Sequence, residues 1–286
     1  MTYLRTKWGR AVWGDSSLID RMVKVIGIPL DENSSFLRGP ARAPAYIREA
    51  LQCGSGNMCV EDGRDLAGKD MQSRWQDVGD MQLGPMPLAF EHITAGIAAL
   101  LKDDNEVLSL GGDHSITFPI IRAFAQRYPR LNILHIDAHG DLYDDFEGNH
   151  FSHACPFARI MEAGLASRLV QVGIRTANPH QREQARRFGV EVIEMKDWTA
   201  ALQLRFDGPT YLSLDLDGLD PAHAPGVSHH EPGGLTVREV LGLLQNTQAQ
   251  WVGADIVELN PARDVNNMTA VVAAKFYKEL VAKMLD

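Results

Sequence analysis

The sequence predicts an α/β protein of the three-layer α/β/α sandwich class, with helices on both faces of a central, mostly parallel sheet of about eight strands. Three observations lead to this prediction. Short apolar runs recur along the chain, a helical pattern follows each of them, and no repeat or linker interrupts the alternation. Strands of a parallel sheet are buried on both faces, so they read as continuous apolar runs. We therefore expect right-handed βαβ units within one domain, residues 1–286.

The strand candidates are short and apolar on both faces. They are residues 23–28, 106–110, 131–136, 169–174, 190–194, 210–216 and 251–257. The helical candidates have proline near the start, a capping box or apolar residues at i, i+4 spacing. They are residues 44–51, 91–102, 118–127, 180–188, 236–244 and a last helix that carries Val272, Phe276, Leu280 and Met284. Gly- and Pro-rich stretches such as 218–234 read as long loops that leave strand ends.

Composition and charge restrict the function. A net charge of −9 over 286 residues argues against a nucleic-acid partner, because phosphate contacts need clustered Lys and Arg. Three unpaired cysteines are typical of a reducing compartment. Residues 1–15 lack the apolar core of a secretory signal, and no run of about 18 apolar residues could span a membrane. We expect a cytoplasmic protein with no membrane partner.

Three polar clusters follow strand candidates, where open parallel sheets bind ligands. The first is GGDHS (111–115), in which two glycines allow a sharp turn that presents Asp113 and His114. A buried, hydrogen-bonded histidine at a strand end explains this cluster equally well.

The second cluster is HIDAHGD (135–141). Asp137, His139 and Asp141 recur with period two, so an extended segment would point all three to one side. Carboxylates and an imidazole at one place are typical ligands of Mn²⁺ or a similar ion. A solvated acidic loop is the alternative, but it does not suit residues that emerge from an apolar strand.

The third cluster is SLDLDGLD (213–220). Asp215 and Asp217 share one face of a strand that should be buried, and two uncompensated buried carboxylates would cost several kcal/mol each, of the order known for buried ions. Cations remove that cost. Asp220 precedes Pro221, which indicates a turn.

Together the clusters supply two histidines and four aspartates, more than a tetrahedral zinc site uses. With bridging carboxylates, these residues suit two metal ions about 3.5–4 Å apart, which share a water molecule and lower its pKa. Ligands rich in carboxylate favour Mn²⁺ over Zn²⁺. The sequence therefore predicts two Mn²⁺ per chain. The ligands would be His114, Asp137, His139, Asp141, Asp215 and Asp217.

At this point the sequence closely resembles the ureohydrolase family, the arginases and agmatinases. The resemblance rests on four ordered motifs and spans nearly the whole chain. They are GGDHS (111–115), DAHGD (137–141), SLDLDGLDP (213–221) and DIVELNP (255–261). Within the family it looks nearest to plant-type arginases, through DDFEGN (144–149), SHA (152–154), FARIME (157–162) and GVSHHEPGG (226–234).

The resemblance implies which residues form each metal site. One manganese would be bound by His114, Asp137, Asp141 and Asp215, and the other by His139, Asp137, Asp215 and Asp217, so that Asp137 and Asp215 bridge. A bridging hydroxide would attack the guanidinium carbon, with Asp141 counted among the catalytic residues.

The resemblance also implies roles for two further residues. Glu258 matches the glutamate that pairs with the substrate guanidinium, and His153 matches the histidine that shuttles protons. Asn149, Asn178 and His229 complete the predicted substrate contacts. By residue type alone, Glu258 reads equally well as an exposed strand-end acid. For His153 a surface or packing role is the default interpretation, and for His229 a solvated loop position is the preferred one.

The head group of the substrate stays open between arginine and agmatine. Animal-type arginases carry an asparagine that binds the α-carboxylate where this chain has Tyr143, and an aspartate for the α-amino group where Asn178 falls. The plant-type likeness favours L-arginine, with urea and L-ornithine as products, whereas the missing contacts permit agmatine.

Other functions remain as alternatives. The same fold could hydrolyse a formimino acid, or deacetylate with one zinc ion, which would leave His114 and Asp141 without a role. A catalytically silent, metal-bound regulator is the non-enzymatic alternative. The resemblance also implies a homotrimer or homohexamer.

Overall fold

The computed structural model describes residues 21–286 and contains one sheet of eight strands, all parallel to their neighbours. Along the chain the strands are β1 (Val23–Gly27), β2 (Trp75–Asp80), β3 (Glu106–Leu110), β4 (Asn132–Ile136), β5 (Arg168–Ile174), β6 (Glu191–Glu194), β7 (Arg205–Asp215) and β8 (Gln248–Val257). Their order across the sheet is β2-β1-β3-β8-β7-β4-β5-β6. The central four are β3, β8, β7 and β4; the three polar clusters lie at the ends of β3, β7 and β4, and Glu258 follows β8.

The α-helices of the described residues connect these strands. They are α1 (Ala43–Gln52), α2 (Lys69–Gln72), α3 (Leu88–Leu100), α4 (Thr117–Arg127), α5 (Pro156–Glu162), α6 (Pro179–Phe188), α7 (Val237–Asn246) and α8 (Met268–Met284). The predicted capping box is present at α7, where Thr236 and Glu239 each satisfy a backbone N–H of the other.

Two apolar cores lie on opposite faces of the sheet, which confirms the predicted three-layer sandwich. On one face, α1, α7 and α8 pack against strand residues such as Leu108 and Leu214. On the other face, α3, α4, α5 and α6 pack against residues such as Val107 and Ile133. Because side chains alternate along a strand, neighbouring residues of β3 enter different cores. This two-sided burial explains why β3 and β4 read as mainly apolar runs with no alternation of polar and apolar residues.

Some elements differ from the sequence-based prediction. Strand β2 was not predicted, because it is an edge strand whose residues alternate between half-buried and exposed and include polar side chains. Helices α2 and α5 were also missed, since both are short. Strands β7 and β8 begin before the predicted runs, in exposed residues. Residues 1–15, on which the absence of a secretory signal was argued, lie outside the described residues.

The carboxyl ends of the parallel strands face one edge of the sheet, and the three polar clusters lie at this edge, at the ends of β3, β4 and β7. Within residues 21–286, no helix combines the length and the hydropathy needed to cross a bilayer. The polar residues at this edge of the sheet form the candidate functional site.

Candidate metal centre

Four adjacent strands bring the predicted site residues to one place. His114 lies in a short 3₁₀ turn after β3, and Asp137 directly follows β4. Asp215 is the last residue of β7, and Glu258 directly follows β8. Residues far apart in sequence meet here because these strands are neighbours in the sheet.

The glycines before His114 are required by close approach, not by an unusual φ. Neither Gly111 nor Gly112 has a positive φ. A Cβ on Gly112 would lie 1.7 Å from the carbonyl oxygen of Leu30, and one on Gly111 would lie 2.6 Å from a methyl of Val257. The loop after β3 can therefore pass between its neighbours only without side chains at these two positions.

The local geometry of two clusters differs from the prediction. Asp137, His139 and Asp141 were expected along an extended segment, but β4 ends at Ile136, and Asp141 has a left-handed backbone with φ 49°. Asp217 was expected in the strand, yet it lies in a 3₁₀ turn that begins after Asp215. Turns, not strand periodicity, direct these side chains to the site, because the segment after each strand bends away from the edge of the sheet.

The first half of the site surrounds the imidazole of His114. Its Nδ1 lies 3.2 Å from Asp137 Oδ2, 3.0 Å from Asp141 Oδ2 and 3.1 Å from Asp215 Oδ2. His114 is 1% exposed, and Asp137 and Asp215 are equally buried. Three acidic oxygens therefore converge on one ring nitrogen in a dry environment.

The second half of the site surrounds His139, which is partly exposed. Its Nδ1 lies 3.1 Å from Asp217 Oδ2 and 3.4 Å from Asp137 Oδ1. Asp137 thus contributes one oxygen to each half. The two groups of ligating side chains that the geometry allows are His114, His135, Asp137 and Asp141, and Asp137, His139 and Asp217. The structure brings all six predicted ligands together.

The hydrogen bonds of His114 fix which ring nitrogen faces the acids. Ser213 Oγ donates to Asp255 Oδ1 at 2.7 Å, so it must accept the hydrogen bond that joins it to His114 Nε2 at 2.9 Å. Nε2 therefore carries the proton, and in the neutral ring Nδ1 presents a lone pair. Among the described residues, Nδ1 is a buried polar atom without a hydrogen-bond partner of good geometry. A lone pair that faces three carboxylates is unfavourable unless a proton or a metal cation lies between them. Burial lowers the pKa of His114, but the three acids outweigh it and raise the pKa well above its usual value.

The electrostatics of the carboxylates lead to the same conclusion. Burial, reinforced by the charges of Asp217 and Asp137, raises the pKa of Asp215 well above its usual range. Burial likewise raises the pKa of Asp217 to about 6, against the opposing charge of His139. Carboxylates that crowd together in this way are ionised at neutral pH when positive charge lies among them. The site therefore suits divalent cations.

Glu258 and His153 form an ion pair beside this cluster. His153 Nδ1 lies 2.8 Å from Glu258 Oε1, and both side chains are buried. Burial lowers the pKa of His153, but the charge and the hydrogen bond of Glu258, with the charges of Asp113 and Asp141, outweigh it and raise the pKa to about 9. The other nitrogen, Nε2, lies 2.8 Å from Ser35 Oγ. His153 thus holds a proton at the edge of the metal cluster.

A pocket of about 270 Å³ opens above the cluster. Its lining contains His139, Asp141, Asp215, Asp217, His153, Glu258, His229, Glu231, Ser35, Tyr143, Phe146, Ala154, Thr176 and Gln181. The ring of His229 lies close to two of these residues, with its centroid 5.2 Å from that of His153 and 5.9 Å from that of His139. Candidate metal ligands, a paired acid and base, and a candidate substrate contact therefore share one cavity.

Two predicted substrate contacts lie outside that lining. Asn178 Oδ1 caps α6 by accepting the backbone N–H of Gln181, and its Nδ2 donates to the Tyr143 hydroxyl at 2.7 Å. Asn149 Nδ2 donates to Asn33 Oδ1 at 3.2 Å. Both amides hold the loops that border the pocket. Asp220 has the predicted turn role, because its carboxylate accepts the backbone N–H groups of Ala222 and Gly233.

Several residues that support the site were missed at the sequence level. They are Ser35, His135, Gln171, Ser213 and Asp255. For His135 and Ser213 a signal was present, since each is a polar residue inside an apolar run, two positions before a metal candidate. Gln171 and Asp255 are likewise polar residues inside apolar runs. Ser35 has no such signal, because only the fold brings its loop to His153.

Comparisons with known proteins show which family the chain resembles. The model of the family described as "Arginase family" matches residues 21–282. The chain is 48% identical to a protein named "Arginase 1, mitochondrial" from Arabidopsis thaliana, over 91% of this chain and 80% of that protein. It is 31% identical to an agmatinase from Bacillus cereus, over 93% of this chain and 92% of that one.

Among solved structures, the arginase from Medicago truncatula has the same fold. It superposes with a TM-score of 0.88 at 44% identity and covers 93% of this chain and 88% of its own. Both the fold and the sequence of the chain are therefore similar to those of plant arginases.

Proposed function

The chain belongs to the arginase family, hydrolases that act on guanidino compounds, and we propose that it converts L-arginine and water to L-ornithine and urea. The observation that carries the proposal is the pocket in which a cluster of two histidines and four aspartates meets the Glu258–His153 pair. The identity of 46% to 48% with several plant arginases supports arginine as the substrate.

The proposed cofactor is a pair of Mn²⁺ ions. His114, Asp137, Asp141 and Asp215 would hold one ion, and His139, Asp137, Asp215 and Asp217 the other. The donor set fits, because oxygen and nitrogen ligands that are rich in carboxylate suit Mn²⁺ better than Zn²⁺. His114 Nδ1 has no hydrogen-bond partner of good geometry among the described residues and faces three acidic oxygens, which supports the same assignment. When bound, such a pair lowers the pKa of a shared water towards neutrality and so supplies the nucleophile.

Glu258 is positioned to bind the guanidinium group. Its Oε1 accepts the backbone N–H of His114 at 2.9 Å and the hydrogen bond of His153, whereas no described residue donates to Oε2. A planar guanidinium pairs well with a carboxylate, and such pairing holds the carbon atom in one place. The tie to His114 fixes that place relative to the metal ligands.

His153 is positioned to move a proton. When the C–N bond of the tetrahedral intermediate breaks, the leaving δ-amino group of ornithine needs a proton, and a protonated imidazole can donate one. Because its pKa lies at about 9, His153 carries that proton at neutral pH. Ser35 Oγ, 2.8 Å from Nε2, keeps the ring turned with Nδ1 towards Glu258.

Agmatine is the second candidate substrate, and the lining of the pocket favours it. No Lys or Arg lies among the described lining residues, so a substrate α-carboxylate would have to be bound by neutral donors such as Ser35, Tyr143 and Thr176. Agmatine has no carboxylate and needs no such donor. The sequence identity to plant arginases favours arginine, whereas the absence of Lys and Arg from the described lining favours agmatine. Both substrates therefore have to be compared.

The test is a comparison of kcat/KM for L-arginine and agmatine after loading with Mn²⁺. We expect urea and ornithine from arginine, with a ratio above about 10², which corresponds to about 2.7 kcal/mol of discrimination at the head group. A ratio below one would make the enzyme an agmatinase. Absence of urea from both, with turnover of a formimino acid, would replace the proposed reaction altogether.

Assembly and location are proposed from the resemblance alone. We expect a homotrimer or homohexamer, which sedimentation of the Mn²⁺-loaded protein would check. The cytoplasmic location also stays a prediction, since two Arabidopsis relatives carry the names "chloroplastic/mitochondrial" and "mitochondrial".

A further inference from the structure

Gln171 of β5 connects two parts of the metal centre without being a ligand. It is 1% exposed and is absent from the lining of the pocket that contains His153 and Glu258. Gln171 Nε2 donates to the carbonyl oxygen of Gly140 at 2.6 Å and lies 3.0 Å from His135 Nδ1. Gly140 separates His139 from Asp141. The Gln171 amide therefore contacts the loop that carries these two predicted ligands and also His135, which is hydrogen-bonded to a third, Asp137.

The orientation of the Gln171 amide follows from Gly140. A backbone carbonyl can only accept a hydrogen bond, so the amide atom facing it must be the NH₂ group. That same NH₂ group then faces His135 Nδ1, which must accept. A protonated Nδ1 would place two donors against each other in a buried site.

The proton of His135 is therefore on Nε2. This nitrogen lies 2.7 Å from Asp137 Oδ2, to which it donates. Asp137 Oδ1 in turn accepts the backbone N–H of His139 at 2.5 Å. Both oxygens of the carboxylate that contributes to both halves of the site are thus held by hydrogen bonds.

The ring of His135 cannot easily turn to another arrangement. It stacks on Phe157 with ring centroids 3.9 Å apart and an interplanar angle of 27°, and its edge meets the ring of His114 at 5.0 Å. Because packing fixes the ring plane, only the choice of tautomer is left, and the contact with Gln171 makes that choice.

We propose that Gln171 is a positioning residue for the metal centre. Through His135 it orients Asp137, the predicted bridging ligand, and through Gly140 it anchors the loop of His139 and Asp141. This inference rests on the proposed function only in taking Asp137, His139 and Asp141 as metal ligands. Residues that orient ligands in this way typically change metal affinity about 10- to 100-fold when they are replaced.

The first test is Gln171→Met, which keeps the volume and removes the donor. The matched control is Gln184→Met, a buried glutamine of α6 whose Oε1 accepts from Arg187 and which contacts no metal ligand. Mn²⁺ affinity is measured on metal-free protein by competition with a chelator. We expect Gln171→Met to weaken Mn²⁺ binding by about 10-fold or more, and Gln184→Met to leave it unchanged. Equal affinities in the two variants would overturn the proposal.

A double-variant cycle separates positioning from a general structural effect. His135→Phe keeps the stacking on Phe157 but removes the hydrogen bond to Asp137. In that background, Gln171→Met should weaken Mn²⁺ binding much less than it does in the parent protein, because the route through His135 is already broken. An undiminished effect would refute the route through His135.

The tautomer is measurable in the parent protein, so the proposal can be tested even where a variant does not fold. Metal-free protein with ¹⁵N-labelled histidine should give, for His135, imidazole shifts of the neutral Nε2–H tautomer at about pH 8, above the ordinary pKa of histidine. Nδ1–H shifts would contradict the inferred contact. Failure of the parent protein to bind Mn²⁺ or to release urea would count against the proposed function, whereas normal parent activity with an unaffected Gln171→Met would count against this inference alone.

Discussion

Glu258 Oε1 accepts the backbone N–H of His114 at 2.9 Å, so the acid proposed to hold the substrate is fixed to a proposed metal ligand. Glu258 adopts φ 67°, a left-handed conformation that is unfavourable for a residue with a side chain. Strain of this kind, about 1–3 kcal/mol, is typical of functional positions that the surrounding structure holds in place. The turn at Glu258 directs its carboxylate into the pocket instead of along the strand.

Replacing Glu258 with glutamine should separate substrate binding from metal binding. The amide oxygen of the variant side chain could still accept the His114 N–H, but the side chain would lack the charge that pairs with a guanidinium. We expect Glu258→Gln to lower kcat/KM for arginine by about 10²- to 10³-fold, or about 3–4 kcal/mol. Urea release measures the first effect, and metal analysis should still find two Mn²⁺ per chain. Loss of both ions would assign Glu258 to the metal site.

Ser213→Ala should weaken Mn²⁺ binding, because Ser213 Oγ fixes the proton of His114 on Nε2 and leaves Nδ1 free for a metal. We expect affinity to fall by about 10-fold. Thr247→Val is a suitable control, since it also removes a buried hydroxyl but at the end of α7, where Oγ1 donates to the carbonyl oxygen of Leu243. Chelator competition on both variants measures the difference. Similar affinities would show that the Ser213 hydroxyl does not orient His114.

Removal of the metal should make stability strongly dependent on pH. In the metal-free protein, burial raises the pKa of Asp217 to about 6 and that of Asp215 well above its usual range, so the folded state binds more protons than the unfolded state above about pH 4. The free energy of unfolding should therefore fall as the pH rises through about 4 to 6 and beyond.

The Tm of chelator-treated protein at about pH 5.5 and about pH 8 would show this fall, because the two values lie on either side of the raised pKa of Asp217. Mn²⁺ at about 100 times its Kd should restore about 2.7 kcal/mol at the higher pH. A Tm of the metal-free protein that is higher at the alkaline pH than at the acidic one would contradict the expected protonation.

Glu106→Gln should stabilise the protein at alkaline pH. Glu106 begins β3, is 6% exposed, and has an Oε2 without a partner among the described residues. Burial raises its pKa to about 7, and Arg21, 4.0 Å away and mostly exposed, offsets this only weakly. Because the folded pKa is raised, the acid costs stability once the pH exceeds its unfolded value of about 4.3 and does so fully above about 7.

We expect the variant to gain about 1–2 kcal/mol at about pH 8, after allowance for partial solvent screening, and almost nothing at about pH 4.5. Denaturant unfolding of both Mn²⁺-loaded proteins at the two pH values would measure this difference. An equal gain at both pH values would mean that the charge of Glu106 is not the cause.

Much of the fold could be predicted from the sequence because burial on both faces gives a clear pattern. Strands β3 and β4 were placed within one residue of their observed bounds, and the capping box located the start of α7. Strand β2 was missed by the sequence-based prediction, because an edge strand faces solvent on part of its surface and needs no continuous apolar run. Prediction therefore worked best where the core imposes the pattern.

The sequence by itself determined the class of fold and the residue types of the metal cluster. Charged side chains directly after apolar runs are expected at strand ends, and buried like charges are ionised at neutral pH only when cations lie among them. Only the tertiary structure decided that β3, β8, β7 and β4 are neighbours, that turns aim Asp141 and Asp217, and that Gln171, Ser213 and Ser35 support the site. The reason is physical: apolar periodicity is a local property of the chain, whereas a hydrogen bond between residues distant in sequence exists only once the sheet has set their separation and direction.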